Sequence, residues 1–178
     1  MLLERLHLPF EAVAPDLDER ALAGEGPRAT ALRLAEMKAR AVSQAQAGDL
    51  AIGSDQVADL EGTPLGKPGN AQAALAQLRA MRGKVVVFHT AVCVLNATSG
   101  EADLDEVPTT VRFRDYSDAE AVRYLEIDRP YDCAGSAKIE ALGIALVERV
   151  ESADPTALIG LPLISVISML RRAGVSVL

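Results

Sequence analysis

The sequence predicts an α/β protein built on one elongated mixed sheet flanked by helices. Three observations predict it. Short runs rich in Val and Ile alternate along the chain with stretches of helical apolar spacing. Those stretches begin at helix-start residues, namely Pro27, Asn70, Ser117 and Pro162. Nearly half of the 178 residues are hydrophobic while Trp is absent, so Leu, Val, Ile and Ala must build the core.

Taken in order, residues 1–6 have apolar positions 1, 2, 3 and 6 and read as the tail of a helix. Residues 10–13 read as a short strand, followed by the acidic loop Pro15-Asp16-Leu17-Asp18-Glu19. A helix is expected over 28–47, because Ala31, Leu34, Ala35, Ala39 and Val42 recur at helical spacing, with Gly48 as its end. Residues 50–54 read as the second strand and 62–69 as a loop. Asn70 caps a helix over 71–81. Residues 84–96 are rich in Val, and Thr98-Ser99-Gly100 turns the chain into a strand over 107–114. Ser117 with Glu120 forms a capping box for a helix running to about Leu125. Residues 144–150 read as a strand, and Pro162 opens a last helix before Gly174. Gly83 and Asp115 are the places where lobes would divide. Neither lies in a linker, so residues 1–178 are read as a single domain.

Composition excludes several functions. A net charge of −7 disfavours nucleic acid, although a single nucleotide needs only a local basic pocket. No run of about 18 apolar residues suggests a membrane span. Residues 1–6 carry charge where a signal peptide would be apolar, so a cytoplasmic protein is the default expectation. Cys93 and Cys133 read as buried reduced thiols. With only His7 and His89 besides, the cysteines show no zinc spacing.

The chemistry concentrates in Ile52-Gly53-Ser54-Asp55-Gln56-Val57 and Gly66-Lys67-Pro68. Asp55 follows an apolar run and is expected at that strand's C-terminal end, where open α/β sheets bind ligands. There it would bind a divalent cation or deprotonate water, or else simply cap a turn. Lys67 lies between a flexible and a rigid residue, either as a point charge for phosphate or as a solvated loop lysine. Glu19 is a second metal-side carboxylate or ordinary loop charge. Lys38 borders the apolar stripe of its helix and either points at the site or snorkels. Cys133-Ala134-Gly135-Ser136-Ala137-Lys138-Ile139-Glu140 is a small-residue stretch in which Glu140 can accept donors from a guanine-like edge. Gly160-Leu161-Pro162-Leu163 reads mainly as a helix start.

Five segments in register resemble the Maf family of nucleoside triphosphate pyrophosphatases. They are Leu34-Ala35-Glu36-Met37-Lys38-Ala39, Gly53-Ser54-Asp55-Gln56-Val57, Gly66-Lys67-Pro68, Tyr131-Asp132-Cys133-Ala134-Gly135-Ser136 and Ile159-Gly160-Leu161-Pro162-Leu163. The resemblance implies a house-cleaning hydrolase that converts a nucleoside triphosphate to the monophosphate and pyrophosphate with Mg²⁺ or Mn²⁺. It implies the elongated fold shared with inosine triphosphate pyrophosphatases, two lobes with the site in the cleft between them, and often a homodimer. It places the catalytic proton acceptor on Asp55, the phosphate lysines on Lys38 and Lys67, and the metal on Asp55 and Glu19.

Gln56 and Glu140 stand where many members have threonine and glutamine. That pair resembles the branch acting on 7-methyl-GTP, whose N7-methylated base is cationic and suits a carboxylate. A dTTP or UTP pyrophosphatase would want the other pair. The further alternative is a catalytically weak nucleotide-binding regulator of division or septum formation. The family pattern opens with a strand and a Ser-rich loop ending in Arg, and the matched segments begin after it. The resemblance therefore implies that Met1 follows that loop, through a mis-assigned start or a truncation, and that a form carrying the loop is the more active one.

Overall fold

A computed structural model describes residues 1–45 and 49–178. Helix α1 (Pro27–Ala45) leads into strand β1 (Leu50–Leu60), a two-residue turn, and β2 (Thr63–Leu65). Helix α2 (Ala71–Met81), strands β3 (Val85–Asn96) and β4 (Ala102–Phe113), helix α3 (Asp118–Asp128), strand β5 (Val147–Ser152) and helix α4 (Leu163–Arg172) complete the order. The strands form one sheet in the order β2-β1-β3-β4-β5.

The α/β class is as expected, but every strand pair is antiparallel where a mixed sheet was anticipated. The connections explain two of the four pairs: β1–β2 and β3–β4 are hairpins, and hairpins can only join antiparallel strands. Glu61 and Gly62, both with positive φ, turn the first hairpin. In the second, Asn96 Oδ1 accepts from the backbone N–H of Thr98 and Ser99, both at 2.9 Å.

The helix starts follow their capping chemistry. Asn70 Oδ1 accepts from the Ala73 N–H at 2.9 Å, and Ser117 with Glu120 forms the reciprocal box. Four expectations are corrected. Residues 10–13 form no strand: Pro9 and Pro15 bracket them, Phe10 is exposed, and no sheet edge meets them. Residues 1–6 hold only a short 3₁₀ turn, Leu3–Leu6, closed by His7 in the left-handed region. The strand expected over 144–150 starts at Val147, because Leu142–Leu146 is a 3₁₀ turn whose Gly143 backs onto the Lys138 carbonyl. The strand expected over 50–54 continues to Leu60. The expected helix end at Ala47 and Gly48 lies outside the described residues.

The sheet separates two environments. One face of β1 and β3 (Ala51, Ala91, Cys93, Leu95) packs on Ala31, Ala35 and Ala39 of α1. This interface is almost all alanine, so the helix lies very close to the strand. At Gly53 an added Cβ would stand 2.2 Å from the Ala35 carbonyl oxygen. On the other face, Ala58, Val86, Phe88, Val111 and Phe113 pack under α2 and α3. Further along the same face, Ile52, Val92 and Val94 pack under α4. Between these two clusters the face is polar. Ser54 donates to the Gly160 carbonyl at 2.8 Å, and Thr90 to the Ala157 carbonyl at 3.0 Å. Cys93 is buried and Cys133 half-buried, and both are free.

Candidate active site

Asp55 lies in the middle of β1, opposite Ala91 of β3, rather than at a strand end. The reason lies in the alternation of the strand. Gly53, Asp55, Val57 and Asp59 face the α1 side, while Ser54, Gln56 and Ala58 face the other. Each polar residue of this stretch finds a partner outside the strand, so the strand runs through it. The close approach at Gly53 sets α1 over the strand, and Lys38, next to Ala39, lands above Asp55.

Four of the expected residues converge there. Lys38 Nζ donates to Asp55 Oδ1 at 2.7 Å and pairs with Glu19 Oε1 at 2.7 Å. Lys67 Nζ reaches Glu19 Oε2 at 3.4 Å. Lys38 is thus an ion-pair partner of the site and does not snorkel, its side chain being 21% exposed and that of Asp55 only 11%. The order is Asp55, Lys38, Glu19, Lys67, with charges alternating.

Two anchors bring the outer members in. Arg33 of α1 holds Glu25 through Nε at 2.7 Å and the Arg20 carbonyl through Nη2 at 3.1 Å, which ties down the loop carrying Glu19. Asp59 Oδ1 accepts from the Gly62 N–H at 2.6 Å and fixes the hairpin leading to Lys67. Sequence reasoning did not single out Arg33. Its only signal was an acid eight residues before a base across a helix start.

The electrostatics separate the two carboxylates. Burial pushes the Asp55 carboxyl above its ordinary value, and the hydrogen bond from Lys38 only partly reverses this. The Lys38 hydrogen bond holds Glu19 below its ordinary value, since burial is the weaker influence there. Burial also opposes the charge on Lys38, but its two carboxylate partners together prevail and its pKa is raised. The directions are consistent: Lys38 has two opposite charges, whereas Asp55 shares one cation with Glu19. Two carboxyls pushed apart in this way differ in their readiness to take a proton, Asp55 the more and Glu19 the less.

Gln56 and Glu140 are not brought to this quartet. Gln56 Nε2 donates to Thr90 Oγ1 at 2.8 Å and to the carbonyls of Ala157 and Leu158 at 3.0 and 3.2 Å, on the opposite face of the sheet. Glu140 lines a cavity of about 280 Å³ on that same side, with Ile139, Ile144, Val150, Leu158 and Ile159. No three His, Cys, Asp or Glu residues are grouped to hold a metal among the described residues. No helix among them is long and apolar enough to cross a membrane.

Residues 1–173 match a family described as Maf-like protein. A protein of Cupriavidus metallidurans named 7-methyl-GTP pyrophosphatase is 58% identical over 173 residues, covering 97% of this chain and 87% of the relative. Proteins of the same name from Ralstonia nicotianae and Thiobacillus denitrificans are 57% and 54% identical. These cover 96% and 99% of this chain and 88% and 89% of the relatives. Matched by that family over residues 1–173 and by such relatives over nearly its whole length, the chain belongs to the Maf family.

Proposed function

We propose that the chain hydrolyses 7-methyl-GTP, or a similarly modified nucleoside triphosphate, to the monophosphate and pyrophosphate. The observation that carries this reading is the convergence of Glu19, Lys38, Asp55 and Lys67 into one alternating array. The name shared by the relatives supports the substrate.

Asp55 is the proton acceptor. Its Oδ1 is engaged by Lys38, and no protein donor reaches its Oδ2 among the described residues, which leaves that oxygen for a water. As Asp55 takes the proton, the water oxygen attacks the α-phosphorus, the bond to the α–β bridging oxygen breaks, and pyrophosphate leaves. Lys38 and Lys67 offset charge on the phosphates. When triphosphate enters, its oxygens replace Glu19 as the partner of Lys67, whose 3.4 Å contact is the loosest in the array. Glu140, exposed at the rim of its cavity across the sheet from the quartet, is the carboxylate available to the cationic base. Gln56 acts from its place in the wall, by holding the Ala157–Ile159 turn.

The donor set fits a divalent cation. Two carboxylates at the protein and the rest of the shell from phosphates and water is the usual arrangement for Mg²⁺. Asp55 and Glu19 would hold it, and the ion would supply charge neutralisation along the phosphates.

Pyrophosphate release from a panel of 7-methyl-GTP, GTP, dTTP and UTP tests the reading. Expected is preference for 7-methyl-GTP, dependence on added Mg²⁺ after chelation, and a loss of about 10²–10⁴-fold in kcat for Asp55→Asn with KM little changed. Undiminished turnover by Asp55→Asn would remove the mechanism, and equal rates across the panel would remove the substrate.

A further inference from the structure

Lys67 is 65% exposed, and its one ionic contact is long, so its side chain does not fix its own position. The backbone around it must. We propose that Gln77, on the face of α2 beside this loop, is the positioning residue that sets the phosphate-binding lysine and couples its loop to the loop carrying Glu140. The proposal rests on the reading of Lys67 as a phosphate partner.

Gln77 Nε2 donates to the carbonyl of Gly66 at 3.0 Å, immediately before Lys67. At its other end, Oε1 accepts from the hydroxyl of Ser136. The orientation of the amide follows from its partners. A carbonyl only accepts, so the nitrogen must face Gly66, and Ser136 must then donate to the oxygen. Ser136 is itself fixed. It is fully buried, it has φ of 57°, and a Cβ on its neighbour Gly135 would stand 3.3 Å from Ala58 and 3.6 Å from the Phe88 ring. A second tie runs beside the first, since the Gly69 N–H donates to the Tyr131 carbonyl at 3.0 Å. The segment Gly66-Lys67-Pro68-Gly69 is therefore held at both ends by the stretch around 131–136. Only the Gly66 end depends on a side chain of α2. Glu140 lies four residues beyond Ser136. A displacement of the stretch around Ser136 is therefore passed to Lys67 through the Gln77 amide on one side, with the Gly69–Tyr131 bond holding the other.

Gln77→Ala removes both bonds, while Gln77→Glu keeps the acceptor for Ser136 and sets a carboxylate oxygen against the Gly66 carbonyl. Both residues favour helix, and α2 remains capped by Asn70. The expected result is a rise of about fivefold in KM for 7-methyl-GTP in Gln77→Ala, larger in Gln77→Glu, with kcat within about twofold. In a Lys67→Ala background the same substitutions should leave KM unchanged, because the effect acts through that lysine. Hydrogen exchange at amides 63–69 should quicken in both variants. An equal KM rise in the Lys67→Ala background, or unchanged exchange at 63–69, overturns the proposal. Should Lys67→Ala alone leave KM unaltered, the phosphate reading of Lys67 fails, and exchange at 63–69 still decides whether Gln77 sets the loop.

Discussion

Gly53 offers the strictest test of how the site is assembled. An alanine there places a methyl group 2.2 Å from the Ala35 carbonyl oxygen, 2.5 Å from the Ala39 nitrogen and 3.1 Å from the Ala39 Cα. All three are backbone atoms, so no rotamer change relieves the clash. Ordinary non-bonded separation is roughly 3.5 Å, so α1 must retreat by about 1 Å or more. The strand cannot give way, because β1 is paired with β3 from Leu50 to Asp59. Overpacking of this kind costs about 1–3 kcal/mol. For a domain of this length that corresponds to a fall in Tm of about 2–12 °C. Lys38 moves with the helix, and the Glu19 loop, tied to α1 through Arg33, moves with it, so the 2.7 Å bond that stretches beyond hydrogen-bonding range is the one to Asp55 on β1. A misplacement of that size can cost about 10²-fold in rate. Thermal melts and steady-state pyrophosphate release would read both effects. Gly26→Ala, where a Cβ meets nothing within 4 Å, is the control and should melt like the unsubstituted protein. If Gly53→Ala keeps the original Tm and kcat/KM, the helix is not seated as argued and the reasoning fails.

Other predictions follow from single residues. Asp154 is 2% exposed and accepts from Thr156 N–H, Thr156 Oγ1 and the Ile164 N–H at the start of α4. Asp154→Ala leaves the Thr156 and Ile164 N–H groups unpaired, while the Thr156 hydroxyl keeps the Leu161 carbonyl; it should cost about 2–4 kcal/mol in a denaturant titration, whereas a change below about 0.5 kcal/mol would show the carboxylate to be dispensable. Asp118 is held down to about 2 by hydrogen bonds from Arg79 and Arg82. Its pKa is depressed on folding, so its stabilisation is complete above the unfolded value of about 3.9 and fades as pH falls toward 2. Asp118→Asn should therefore lower Tm at neutral pH and by progressively less as pH falls toward 2. An equal loss at both pH values would contradict the linkage.

The chain wrote some of this structure locally and some of it only in three dimensions. Asn70 and Ser117 announce α2 and α3 because a cap acts within three residues, and both caps form as the sequence implies. The extent of β1 was hidden because Asp55, Gln56 and Asp59 read as loop residues in isolation. Their partners, Lys38, Leu158 and Gly62, come from a helix, a distant turn and a hairpin. The same non-locality made Lys38 ambiguous, since an ion pair and a snorkelling lysine have one sequence pattern. Phe10 and Val13 show the reverse error, a local apolar pattern that no neighbouring strand completes. For the site, the residue types around Asp55 and Lys67 were legible, but the face on which Gln56 stands was not. Strand parity decided it, and parity depended on where β1 ended.

The polar seam of Ser54, Gln56 and Thr90 between the two apolar clusters has a consequence for how the molecule comes apart. The sheet is continuous, but the packing on that face is divided. Between the cluster under α4 and the cluster under α2 and α3 run hydrogen bonds to the Ala157–Ile159 turn and Gly160. Hydrogen bonds of this kind are worth about 1 kcal/mol each, far less than a shared apolar layer. The α4 end can therefore open as a cooperative unit of its own, with amide exchange in α4 faster than in α1. The quartet stands on the opposite face beneath α1, and such an opening would leave it assembled.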